Sequence, residues 1–215
     1  MAEDGFCPEW IVQNWDRYVE PFFQHVLLTV VSVTIGFVIA AAMAVVAHRR
    51  RRLNGPLVGF TEALFTIPSA SAFLLLLPFT GFGTVSAVIA LTAYSLNAML
   101  RSMVTGLAGV PEDIKDAARG MGLTERQLLW RVEMPLALPE IFAGLRIASV
   151  TTVGLATLAF LIGAGGLGES IESQISFKSN VVVAGGLCVL LAIALDLLIR
   201  SVQRATTPWV RARLT

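Results

Sequence analysis

Residues 111–135 read Pro111-Glu112-Asp113-Ile114-Lys115-Asp116-Ala117-Ala118-Arg119-Gly120-Met121-Gly122-Leu123-Thr124-Glu125-Arg126-Gln127-Leu128-Leu129-Trp130-Arg131-Val132-Glu133-Met134-Pro135. This is a polar island between apolar segments. Pro111 favours a helix start. Ile114, Ala117, Ala118 and Met121 recur at helical spacing and form one small apolar face, with Glu112, Asp113, Lys115, Asp116 and Arg119 on the rest. Gly122 stands where a helix ends in a left-handed turn, a conformation that glycine adopts at little cost. Thr124 and Gln127 have capping-box spacing for a second helix, which Pro135 is expected to stop. The stretch therefore predicts a short helix, a sharp glycine turn and a second short helix. The plain alternative is a connecting loop that happens to be helical.

The segments around this island are greasy. Hydrophobic residues are 55% of the 215 and charged ones 14%, against about a quarter charged in a soluble domain. Mean hydropathy is +0.74. Much of the surface must then face lipid. Apolar runs long enough for a hydrocarbon core of about 30 Å predict spans at about 26–47, 57–77, 84–105, 140–162 and 181–199, with a loop at 106–139. The fold class expected is an all-α membrane protein with five transmembrane helices.

Charge placement tests the five spans together. Arg49 to Arg52, Arg101, Lys115, Arg119, Arg126, Arg131, Arg146 and the tail residues Arg200, Arg204, Arg211 and Arg213 all fall on one predicted side. Only Arg17 and Lys178 fall on the other. By the positive-inside rule the N-terminus is outside and the basic tail, 201–215, is cytoplasmic. Residues 1–25 carry Trp10, Trp15, Tyr18, Phe22 and Phe23, an interfacial arm by composition, with a frayed tail as the alternative for the first eight. Cys7 lies in this arm and Cys188 in a late apolar run, so a disulfide between them is not expected.

Several polar residues interrupt the spans. Pro68 should kink the second one, and a broken helix survives in a membrane only where protein or a cavity satisfies the freed groups. Glu62 reads as a paired carboxylate near the cytoplasmic surface, with a proton relay as the alternative. Asn97, one turn from Arg101, either bonds across helices or lines a path. Asp196 precedes Arg200 by one turn and should pair with it. Gly165 and Gly166 belong to a glycine-rich run, 163–168, that cannot be a stable helix interior. His25, just before the first span, reads as interfacial.

The spacing Asp116-Ala117-Ala118, three residues, Gly122, nine residues, Val132, Glu133, Met134-Pro135 resembles the EAA loop of permease subunits of ATP-binding-cassette importers. That pattern has Glu, Ile and Leu where this chain has Asp116, Val132 and Met134. The resemblance extends from about His25 to Asp196. It implies the type I ABC importer permease (MetI-like) fold in a bacterial cytoplasmic membrane. It also implies that Pro111, Asp116, Ala117, Ala118, Gly122 and Pro135 couple the chain to an ATPase. The expected partners are two ABC ATPase subunits, a second permease (identical or homologous), an extracytoplasmic substrate-binding protein and the lipid bilayer.

No Walker A sequence, nucleophile elbow, HExxH or zinc-type cysteine pair occurs in the sequence. No cofactor is expected in this chain, ATP and Mg being bound by the partner ATPase. A net charge of +1 argues against nucleic acid. Within the resemblance, osmoprotectant permeases for glycine betaine, carnitine and choline come first and methionine or amino-acid permeases second. An ion-coupled secondary transporter using Glu62, Asp196 or Asn97, or a non-transporting scaffold, would leave the loop spacing unexplained.

Overall fold

The structure, a computed structural model, describes residues 8–211. Cys7 and Arg213 lie outside the described residues. Within them every regular element is helical.

A short α1 (Pro8–Gln13) leads into α2 (Asp16–Arg49), a single helix of 34 residues. It starts about ten residues ahead of the first predicted span. The reason is tertiary. Tyr18 is buried and donates its hydroxyl to Asn180 Oδ1 at 2.7 Å, and His25 is fully buried with Nε2 3.0 Å from the Val153 carbonyl oxygen. His25 is thus an interior residue, not the interfacial one its sequence position indicates.

A 3₁₀ turn, Arg51–Leu53, joins α2 to α3 (Asn54–Thr66), and α4 (Ser69–Thr80) follows. The expected kink at Pro68 is a break: the two helices are bent by 97°. Ile67 (ψ 128°) is extended, as the clash of a proline ring with the preceding residue requires, and Pro68 (ψ 132°) is extended as well. One freed group is met by protein, for Tyr94 donates its hydroxyl to the Ile67 carbonyl and packs edge-on against Phe65.

Helix α5 (Thr84–Ala108) is the central post, packing on α2, α3, α4 and α8 (Met134–Ala156). Small residues let it approach closely. A Cβ on Gly144 of α8 would sit 2.5 Å from Ser102 Cβ, so the α5–α8 contact admits nothing larger there.

After α6 (Glu112–Gly120) and α7 (Glu125–Leu128), a π turn at Leu129–Glu133 runs into α8 (Met134–Ala156), and 125–156 form one continuous helix. Pro135 therefore does not stop the second short helix, and the helix that carries the fourth predicted span does not begin after Pro139. Pro135 sits in the first turn of α8, where the π turn has already displaced the hydrogen-bond ladder. Pro139 lies inside α8. An interior proline costs about 3 kcal/mol. Burial of Leu128 and Leu129, at about 1.5–3 kcal/mol each, offsets it.

A 3₁₀ turn (Ala159–Ile162), α9 (Leu167–Ser173), α10 (Lys178–Thr206) and α11 (Pro208–Arg211) complete the chain. Among the described residues four helices are long and apolar enough to cross a membrane, and the bent α3–α4 pair makes a fifth if counted as one span. The outward side of α10 is apolar, with Val182, Val189, Leu190, Ile193 and Leu198 exposed, which accounts for the low share of charged residues.

Candidate functional site: the helix–glycine–helix loop

Pro111 is the N-cap of α6, with ψ 140°, one residue ahead of the first helical position. Glu112 and Asp113 occupy the first turn and Arg119 the last, matching the helix dipole. The C-terminus is a complete Schellman turn: the Leu123 amide donates to the Ala118 carbonyl at 3.2 Å and the Gly122 amide to that of Arg119 at 2.9 Å. Gly122 has φ 83° as expected, and a Cβ there would meet nothing within 4 Å. The glycine is required by backbone conformation, not by space. The capping box is also present. The Thr124 amide donates to Gln127 Oε1 at 2.9 Å and the Gln127 amide to Thr124 Oγ1 at 3.4 Å.

The predicted apolar face does not turn inward as a unit. Ala118 is buried and Ile114 half-buried, while Ala117 is exposed and Met121 is 74% exposed. Lys115, placed on the polar side by spacing, is buried instead, with Nζ 2.8 Å from Glu112 Oε2. Its stem packs inward while its ammonium stays paired. The loop thus faces the bundle with Lys115 and Ala118, and presents Ala117, Met121 and Asp116 outward.

Arg119, which spacing alone left as a surface charge, ties the loop together. Its NH1 group donates to Glu112 at 3.1 Å and Asp116 at 3.0 Å, and its Nε donates to Glu125 at 3.2 Å, bridging α6 and α7. Lys115 and Arg119 hold the Glu112 carboxyl below the usual carboxylate range. Glu112, Glu125 and Asp116 push Arg119 up.

The other candidate residues sit elsewhere in the bundle. Glu62 on α3 pairs with Arg101 on α5. Asn97 Oδ1 is buried without a partner among the described residues. Asp196 pairs with Arg200 at 2.7 Å, as expected, and also with Arg146 of α8 at 2.6 Å. Gly165 and Gly166 both have positive φ, and the Gly166 amide donates to Gln24 Oε1 at 3.1 Å. His48 Nε2 lies 2.9 Å from Glu133 Oε2, and that carboxylate is almost fully buried. Neither Arg146–Asp196 nor His48–Glu133 had a sequence signal, since each joins residues far apart in the chain. Among the described residues no group of three or more His, Cys, Asp or Glu is placed to hold a metal ion.

Helices long and apolar enough to cross a membrane, interrupted by one structured polar loop, define a multi-pass membrane protein. The chain belongs to the family of binding-protein-dependent transport system inner membrane components, matched over residues 32–212. It is 32% identical over 208 residues to the choline transport system permease protein OpuBB of Bacillus subtilis, covering 96% of each chain. It is 38% identical over 193 residues to the osmoprotectant import permease protein OsmW of Salmonella typhimurium, covering 86% of this chain and 90% of that one. The glycine betaine/carnitine/choline permease protein OpuCB of Bacillus subtilis is 33% identical over 187 residues, 86% of each chain. The fold is that of the methionine transporter MetNI in an inward-facing conformation, with TM-score 0.74 and 24% identity over 86% of this chain and 95% of that one. An amino-acid ABC transporter has the same fold, with TM-score 0.72 and 16% identity over 94% of this chain and 99% of that one.

Proposed function

We propose that this chain is the membrane-spanning subunit of an ATP-driven importer for quaternary ammonium osmoprotectants such as glycine betaine, carnitine and choline. The observation that carries the coupling role is the α6–Gly122–α7 loop: internally braced by Arg119, yet presenting Ala117, Asp116 and Met121 outward. The names of the relatives support the substrate class. The methionine alternative has support at the level of fold alone.

In this reading the chain crosses a bacterial cytoplasmic membrane five times, with α3–α4 as one broken span, the N-terminus outside and the tail inside. The loop docks on an ATPase subunit, which binds the ATP and Mg. Two permeases, two ATPases and an extracytoplasmic binding protein make the transporter. Because α7 continues into α8, displacement of the loop by the ATPase is carried along one helix into the membrane. The Arg146–Asp196 pair passes it on to α10. Glu62, Pro68, Asn97, Gly165 and Gly166 are assigned to the pathway and its hinges.

The test is ATP hydrolysis by the reconstituted transporter in lipid vesicles. Binding protein loaded with glycine betaine, carnitine or choline should accelerate it. Acceleration by methionine-like amino acids alone would transfer the substrate class to the alternative.

A further inference from the structure

A cavity of about 1020 Å³ opens where the end of α2, the end of α5 and the coupling loop meet. Its wall is charged, and the charges do not balance. The three carboxylates of the wall each have a basic partner in the same wall: Glu112 pairs with Lys115 and Arg119, Glu125 pairs with Arg119, and Glu133 Oε2 lies 2.9 Å from His48 Nε2. Three guanidinium groups remain. Arg49 ends α2, Arg51 begins the 3₁₀ turn and Arg126 lies on α7. All three are exposed and make no ion pair among the described residues.

Three arginines from three elements, lining one cavity without an ion pair among the described residues, suit an anion. Their planar donor forks match the oxygens of a phosphate two at a time. Depth in the membrane indicates where the phosphate comes from. The apolar run of α2 reaches Ala47, and Arg49 follows two residues, about 3 Å, further along the axis. Basic side chains directly beyond a span lie at the level of anionic headgroups.

We propose that this cavity binds a phosphate group through Arg49, Arg51 and Arg126, with an anionic phospholipid headgroup as its source. The site adjoins both the first span and the coupling loop, so an occupant would tie the position of the loop to the lipid at its edge.

Arg50 and Arg52 supply an internal control, for they belong to the same basic run but do not line the cavity. The measurement is native mass spectrometry of the whole transporter complex released from phosphatidylglycerol or phosphatidylcholine vesicles. A parallel arm adds inorganic phosphate to lipid-stripped complex. Arg51→Gln and Arg126→Gln should each lower retained phosphatidylglycerol about tenfold relative to phosphatidylcholine. Arg52→Gln, which removes the same charge and leaves the topology signal as strong as Arg51→Gln does, should not. Inorganic phosphate binding that falls in the same two variants, without phosphatidylglycerol retention, keeps the phosphate site and assigns it to a free anion. Equal retention in all variants, or an equal loss in Arg52→Gln, would overturn the site in favour of diffuse surface charge. Loss of the ATPase in Arg126→Gln with lipid retention unchanged would also overturn it, because the cavity would then belong to the protein interface.

Discussion

Arg146 Nε on α8 lies 2.6 Å from Asp196 Oδ1 on α10, and Arg200 Nε holds the other oxygen of the same carboxylate at 2.7 Å. One aspartate thus joins two helices long and apolar enough to cross a membrane, and its own next turn. The two arginines differ in setting: the Arg146 side chain is 27% exposed and that of Arg200 is 47% exposed. An exposed i,i+4 pair contributes little, whereas removing one partner of a more buried pair strands the other charge. Asp196→Ala should therefore lower the thermal midpoint of the purified permease clearly more than Arg200→Gln. Combined with Arg146→Met it should recover part of the loss. A thermal-shift series over the two single variants and the double variant checks this. Equal effects of Asp196→Ala and Arg200→Gln would remove the interhelical role.

The α6–Gly122–α7 loop makes a sharper forecast. Gly122 at φ 83° meets no neighbour, so a side chain there is strained by the backbone alone, at about 1–2 kcal/mol. Gly122→Val should leave the protein in the membrane and weaken ATPase co-purification. Gly122→Asn, which tolerates the left-handed region, should retain more of it.

Asp116 is bound to Arg119, which keeps Glu112 and Glu125 as partners when Asp116 is removed. Asp116→Ala should consequently leave the loop folded but lose solute uptake at matched expression, through a lost bond to the ATPase. Normal uptake in both Asp116→Ala and Gly122→Val would make the loop a mere connection.

Acid should act on the loop through Glu112. Its folded carboxyl lies below the usual value because it accepts from Lys115 and Arg119. The stabilisation is then complete above the ordinary glutamate value, about 4.3, and is lost as pH falls through the lowered one. Carboxyl NMR on the full chain in nanodiscs should place the Glu112 midpoint below that of free glutamate. Arg119→Gln should move it upward. A midpoint indifferent to Arg119→Gln would deny the network.

Topology has a labelling test. Cys7 belongs to the arm expected outside and should react with an impermeant thiol reagent in intact cells. Cys188 is buried on α10 against Val153 and Leu191 and should stay unlabelled. Labelling of Cys7 only after permeabilisation contradicts five spans.

Local patterns were legible in the sequence because their physics is local. Thr124 with Gln127, the positive φ of Gly122, the break at Pro68 and the Asp196–Arg200 pair each depend on a few neighbouring residues and on backbone sterics. The apolar runs were legible for the same reason, as their length and composition are properties of contiguous chain. What tertiary structure decided were outcomes in which distant burial outweighed a local rule. Pro135 and Pro139 should end a helix by their missing amides, yet packing of Leu128 and Leu129 carries 125–156 through as one. Periodicity places Lys115 outside and Ala117 inside, and the docking of α6 on the bundle reverses both. His25 reads as interfacial from its place in the chain, and the Val153 carbonyl makes it interior. The partners Arg146 and Asp196, His48 and Glu133, and Glu62 and Arg101 lie far apart in sequence. Only the folding of α2, α3, α5, α8 and α10 against one another brings their charges within reach, and no spacing along the chain encodes that distance.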